Sequence, residues 1–106
     1  MKLLTKQLEK TIPAPYKTDG QPDTERRVYA KFFDPTGSWT WYVLEYDPEY
    51  REFYGYVVGI FNELGYFSLD ELSGYKGPFM LGIERDMYWD DTTTLAEVKA
   101  EHGGAR

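Results

Sequence analysis

The sequence contains no cysteine, which removes disulfide frameworks, thiolate metal sites and cysteine nucleophiles from consideration. Histidine occurs once, at position 102, and is followed by Gly-Gly-Ala-Arg. A single imidazole in such a tail excludes a Ser-His-acid triad and a two-histidine metal site, and with them most familiar hydrolases. Long apolar runs are missing as well. Met1-Lys2-Leu3-Leu4 begins with a basic residue, but Thr5-Lys6-Gln7 interrupts it before a signal-peptide core forms, and no stretch approaches the ~20 apolar residues of a membrane span. A soluble, cytoplasmic protein is the expectation. Phosphate-cradling loops are absent too, because Gly55, Gly59, Gly65 and Gly74 lack both the spacing and a following lysine.

Basic charge is scarce beyond the N-terminal third. The 106 residues carry a formal net charge of −6. Up to Lys31, seven basic residues face four acids for a balance of +3, whereas from Phe32 onward five bases face fourteen acids for −9. Such a body repels a phosphate backbone, so direct nucleic-acid binding is confined at most to Lys6, Lys10, Lys17, Arg26 and Arg27. Solubility accounts for an acidic surplus in general. A surface that imitates phosphates is the sharper alternative.

Aromatic residues, by contrast, are abundant at 18% within 42% hydrophobic content, a composition that offsets ordering entropy and specifies a globule. Residues 1–106 are read as a single domain. Thr5 caps a short amphipathic helix through Lys10, and the proline-rich run from Pro13 to Asp23 reads as an irregular loop. Three strands follow, near Arg27 to Asp34, Ser38 to Tyr46 and Arg51 to Ile60, joined by Asp34-Pro35-Thr36-Gly37 and Asp47-Pro48-Glu49-Tyr50 with proline at the second turn position. The first of these turns has the start of a calcium loop but not its further carboxylates. Phe61 to Gly65 reads as a connection before a short fourth strand, Tyr66 to Leu69. Ser68 or Asp70 then caps one helical turn ended by Gly74. Gly82 to Trp89 reads as a last strand, and Thr92-Thr93-Thr94 caps a helix from Leu95 to about Glu101. The fold class is α+β: an antiparallel β-meander of four to five strands with short helices at the N- and C-terminal ends.

The stretch Ser38-Trp39-Thr40-Trp41-Tyr42-Val43-Leu44-Glu45-Tyr46 places Trp39, Trp41 and Val43 on one face and Tyr42, Leu44 and Tyr46 on the other. With acids rather than bases nearby, the tryptophans do not suit nucleic-acid stacking and are assigned to the core. Tyr42, Tyr46, Tyr54 and Tyr56 then form the exposed face, and tyrosine with acids suits a protein partner. The partner-binding candidates are Asp47, Glu49 and Glu52, together with Asp86, Asp90 and Asp91, Tyr42 and Tyr46. The acids are expected to form a double row. The alternative is a small ligand-binding or hydrolytic site built on Glu84, Arg85 and Asp86, in which two carboxylates share a strand face. No metal and no cofactor is expected, and Asp90-Asp91 reads as first-turn helix acid.

Taken in order, Leu3-Leu4-Thr5-Lys6, Val28 to Phe33, Trp39-Thr40-Trp41-Tyr42, Val57-Val58-Gly59, Glu63 to Ser68, Glu71-Leu72, Gly77-Pro78 and Ile83-Glu84-Arg85-Asp86 resemble a family of small bacterial proteins, domain of unknown function 2958. The resemblance implies carriage on plasmids, phages and integrative elements, often beside antirestriction genes, and it transfers no catalytic residue. It turns the acidic face into an expectation of an interaction protein that inhibits a host nucleic-acid-processing defence system, in the manner of an anti-CRISPR or antirestriction DNA mimic.

Overall fold

The aromatic runs and their proline turns assemble one antiparallel sheet. The structure, a computed structural model, describes residues 1–103. Strands β1 (Ala30–Phe33), β2 (Thr40–Asp47), β3 (Glu52–Val58) and β4 (Asn62–Ser68) follow one another as a meander. The two-residue β5 (Glu84–Arg85) returns to pair with β1, so the order is β4-β3-β2-β1-β5. Helices α1 (Lys6–Thr11), α2 (Leu69–Gly74) and α3 (Leu95–Glu101) are capped by Thr5, Ser68 and Thr94, whose hydroxyls accept from the N–H of Leu8, Glu71 and Glu97. The expected α+β class holds. Among the described residues no helix is long and apolar enough to cross a membrane.

Three elements differ from expectation, each for a local reason. The first strand is short because Val28 donates to the Thr93 carbonyl and Leu95 to that of Arg26, diverting the chain toward α3. The fourth is long: Phe61 to Gly65 is not a connection, since β4 begins at Asn62 and Gly65 stands opposite Gly55. The last stops at Arg85, because the Asp86 carboxylate accepts from the Tyr88 N–H and turns the chain.

Both sheet faces are covered. Leu3, Leu4, Phe32, Val43, Tyr46, Phe53, Phe67, Leu72 and Ile83 belong to one core, and Val28, Tyr42, Leu44, Tyr56, Leu95 and Val98 to the other. The register shifts between Val43 and Glu45. This bulge inserts Leu44 as an extra residue and moves Tyr46 onto the face of Val43. At the same place Gly55 is indispensable, because a Cβ there would lie 1.9 Å from the Tyr42 carbonyl oxygen.

The double cover overturns the tyrosine surface and only half of the tryptophan core: Trp41 packs against the first core cluster, whereas Trp39 does not. Tyr42, Tyr46 and Tyr56 are 1%, 4% and 1% exposed, Tyr54 and Trp41 are half-buried, and Trp39 is 40% exposed. Helix α3 and the N-terminal segment bury what a one-sided sheet would leave in water.

Candidate functional site

The end of the sheet formed by the β2–β3 turn gathers acids and tyrosines. Asp47 accepts the Glu49 N–H at 2.9 Å, an Asx turn that suits its place before Pro48. Arg51 adopts a left-handed φ of 52° and its Nε donates to the Asp70 carboxylate at 2.9 Å. Beside this turn lies the loop from Pro13, tied down by Glu45, which is only 3% exposed. The Glu45 carboxylate accepts the N–H groups of Tyr16 at 2.9 Å and Thr18 at 3.0 Å, and the Thr18 hydroxyl. The Arg26 guanidinium stands 3.4 Å from it. Burial alone would raise the Glu45 carboxyl, but the Thr18 hydroxyl, the two N–H groups and Arg26 outweigh it and hold it below the usual carboxylate range. Aiming the N–H groups of residues 16 and 18 at one carboxylate accompanies the left-handed φ of 67° at Tyr16.

The result is a cleft of about 210 Å³ whose lining includes Tyr16, Tyr50, Tyr54, Tyr66, Asp47 and Glu52. Tyr16, Tyr50 and Tyr66 are exposed, and the Tyr54 and Tyr66 rings lie 5.0 Å apart. Beneath it, burial raises the Tyr46 hydroxyl; Arg51 opposes this, and the nearby charges of Glu9, Asp70 and Asp47 add to it. Asp47 and Glu52 are direct partners across the β2–β3 ladder, a like-charge pairing that works against the free fold.

The other acids lie elsewhere. Asp86, Asp90 and Asp91 occupy the segment after β5, separated from β2 by β1 with its Lys31. Asp90 accepts the Thr92 hydroxyl and N–H, which lower its pKa. Asp91 stands 3.2 Å from Arg27. The six acids therefore form two groups on different elements. Tyr42 and Tyr46 are not the exposed pair expected: both are buried, and of the two Tyr46 reaches the lining of the cleft. The Tyr42 hydroxyl meets His102 Nε2 at 2.7 Å, and burial, followed by the charges of Glu101 and Asp86, pushes it up to about 12.

Glu84, Arg85 and Asp86 have no mutual ion pair. The Arg85 guanidinium donates to the carbonyls of Lys2 at 2.8 Å and Leu3 at 2.9 Å, fastening the N-terminal segment over the sheet. Among the described residues no group of three or more His, Asp or Glu is arranged to hold a metal ion. Sequence reasoning passed over Glu45 and Tyr16, and it counted Arg26 among the bases open to nucleic acid, whereas Arg26 is 8% exposed and paired with Glu45. The available signal was a lone acid inside the run Tyr42-Val43-Leu44-Glu45-Tyr46, which a buried strand tolerates only with partners.

The family described as "Protein of unknown function (DUF2958)" matches residues 3–104. No curated protein and no solved structure matches the chain. The protein belongs to the DUF2958 family.

Proposed function

We propose that this member of the family is a small protein-binding module whose acidic, tyrosine-lined β2–β3 end docks on a basic surface of a protein partner. One observation carries the reading: Asp47 and Glu52 face each other across the ladder beside exposed Tyr50 and Tyr66. Direct cross-strand pairing of like charges is unfavourable in the free protein, whereas a cationic partner relieves it. Among the described residues neither acid, nor Glu49, has an ion-pair partner. Exposed tyrosine supplies contact area with little rotamer entropy to lose, and surrounding carboxylates steer a basic surface toward it.

The finer reading is that the basic surface belongs to a nucleic-acid-binding site, so that the protein competes with DNA or RNA in a host defence system. The net charge of −6 supports it, as does the setting that the family resemblance implies. Asp86, Asp90 and Asp91 are not needed for the primary contact. The test is affinity capture from host lysate with wild-type bait and with bait carrying Asp47→Asn, Glu49→Gln and Glu52→Gln. A partner retained by the first and lost by the second is expected, and added DNA should displace it. A partner retained equally by both moves the interface away from the hairpin.

A further inference from the structure

The two indoles at the start of β2, Trp39 just before it and Trp41 within it, belong to a second concavity, on the face opposite Tyr42. A pocket of about 370 Å³ is lined by Trp39, Trp41, Tyr75 and Leu72 and flanked by the carboxylates of Asp34 and Glu71. The indoles form one wall, with ring centroids 6.0 Å apart and planes 27° from parallel. Trp39 and Tyr75 are 40% and 43% exposed, so the sheet's own core leaves much of their surface unused. Unused aromatic surface is common on proteins, but here the backbone leaves room for the rings. A Cβ on Gly59 would come within 2.4 Å of the Trp39 ring, and one on Gly77 within 2.9 Å of the Tyr75 hydroxyl. Glycine at both positions admits ring positions that any other residue would shift.

The loop that carries Tyr75 is itself constrained. It closes through a Gly77 N–H to Leu81 carbonyl bond of 2.7 Å and holds Phe79 and Met80 at left-handed φ values of 59° and 61°. Non-glycine residues keep that conformation only where surrounding structure imposes it. Before the chain returns to the sheet, both side chains project into solvent.

Charge decides the occupant. No basic residue among the described residues lines the pocket. Among the described residues the Asp34 carboxylate accepts from the Thr36 N–H and hydroxyl of its own turn, and neither it nor Glu71 has an ion-pair partner. The negative faces of indole and phenol rings and two carboxylates without a cationic partner among the described residues favour the same ligand, one combining positive charge with apolar bulk. We infer that the Trp39–Trp41–Tyr75 pocket binds an organic cation, an alkylated ammonium or a guanidinium, carried by a side chain or a small molecule. This site is independent of the β2–β3 end, and either can fail without the other.

The experiment is a titration followed by the indole N–H signals in nitrogen-15 NMR. The chain has three tryptophans, and Trp89 donates its indole N–H to the Val28 carbonyl in the other core, so it serves as an internal control. Tetramethylammonium and N-acetyl-arginine methylamide are the probes, with tert-butanol as the neutral match in shape and methyl glucoside as a neutral sugar. The expected result is saturable movement of the Trp39 and Trp41 signals with at least one cation, none with tert-butanol, and a still Trp89 signal. Glu71→Gln, at an exposed position, should weaken binding roughly three- to tenfold and the loss should shrink in high salt. Trp39→Phe, checked for folding by circular dichroism, should weaken it while preserving a ring. Equal response to tert-butanol, preference for the sugar, or no response to either cation overturns the assignment, as does undiminished binding by Glu71→Gln.

Discussion

His102 Nε2 lies 2.7 Å from the hydroxyl of Tyr42, which joins the C-cap of α3 to the middle of the sheet. Replacing His102 by Ala should leave that buried hydroxyl without its partner and cost on the order of 1–3 kcal/mol in urea unfolding. Adding Tyr42→Phe should restore much of the loss, because no orphaned hydroxyl then remains. Additive losses in the double variant would show that the pair is not coupled. The same site sets an alkaline limit. Since folding raises Tyr42 to about 12, the neutral form is the one the fold favours. Its contribution is complete below the ordinary tyrosine value of roughly 10 and is lost as pH climbs from there to the folded value.

Glu45 sets the opposite limit. Its carboxyl is held below the usual range in the folded chain, so its contribution is present above the unfolded value of about 4.3 and disappears as pH falls through the folded value. Glu45→Gln should destabilise at pH 7 by on the order of 3 kcal/mol, since it leaves Arg26 buried without its charge partner. It should also flatten the acid limb of a stability-against-pH curve. An unchanged acid limb would contradict the assignment.

Gly55 and Gly65 face each other across β3 and β4, yet they should respond oppositely to the same substitution. A Cβ at Gly55 meets the Tyr42 carbonyl, whereas one at Gly65 meets nothing within 4 Å. Gly55→Ala should break the bulge and cost several kcal/mol, about 3 or more, while Gly65→Ala should be neutral or stabilising by up to about 1 kcal/mol. Thermal unfolding of the two variants gives the comparison.

Arg85 predicts a different pattern from a catalytic residue. Its contacts are the Lys2 and Leu3 carbonyls, so Arg85→Ala should lower stability by roughly 1–3 kcal/mol and speed amide exchange in residues 2–4. Glu84→Gln should do neither. Faster exchange after Glu84→Gln and none after Arg85→Ala would reverse these roles.

The turns and helix caps were legible in the sequence because their chemistry is local. Thr5 and Thr94 cap where expected, Ser68 rather than Asp70 caps the second helix, and the turns at Asp34 and Asp47 form as their prolines direct. The division between faces was not legible, since alternation assigns side chains to a face without saying what covers it. One extra residue at Leu44 also reversed Tyr46, and nothing within the strand announces a bulge except the glycine on its partner. The acids of the β2–β3 turn were readable as a group because they are close in sequence. Their separation from Asp86, Asp90 and Asp91 depends on strand order, and so does the burial of Tyr42 beneath α3.

The most direct test of the central claim uses the triple amide variant Asp47→Asn, Glu49→Gln, Glu52→Gln against the captured partner, with association and dissociation rates measured across a salt series. Asn at position 47 keeps the acceptor for the Glu49 N–H, and removal of the like-charge pair with Glu52 should leave the melting temperature unchanged or slightly higher. The wild-type association rate should fall steeply as salt rises past the point where the screening length is roughly 8 Å, and the variant should start lower and depend less on salt. A wild-type rate indifferent to salt, or a variant that binds as well as the wild type, would contradict the account.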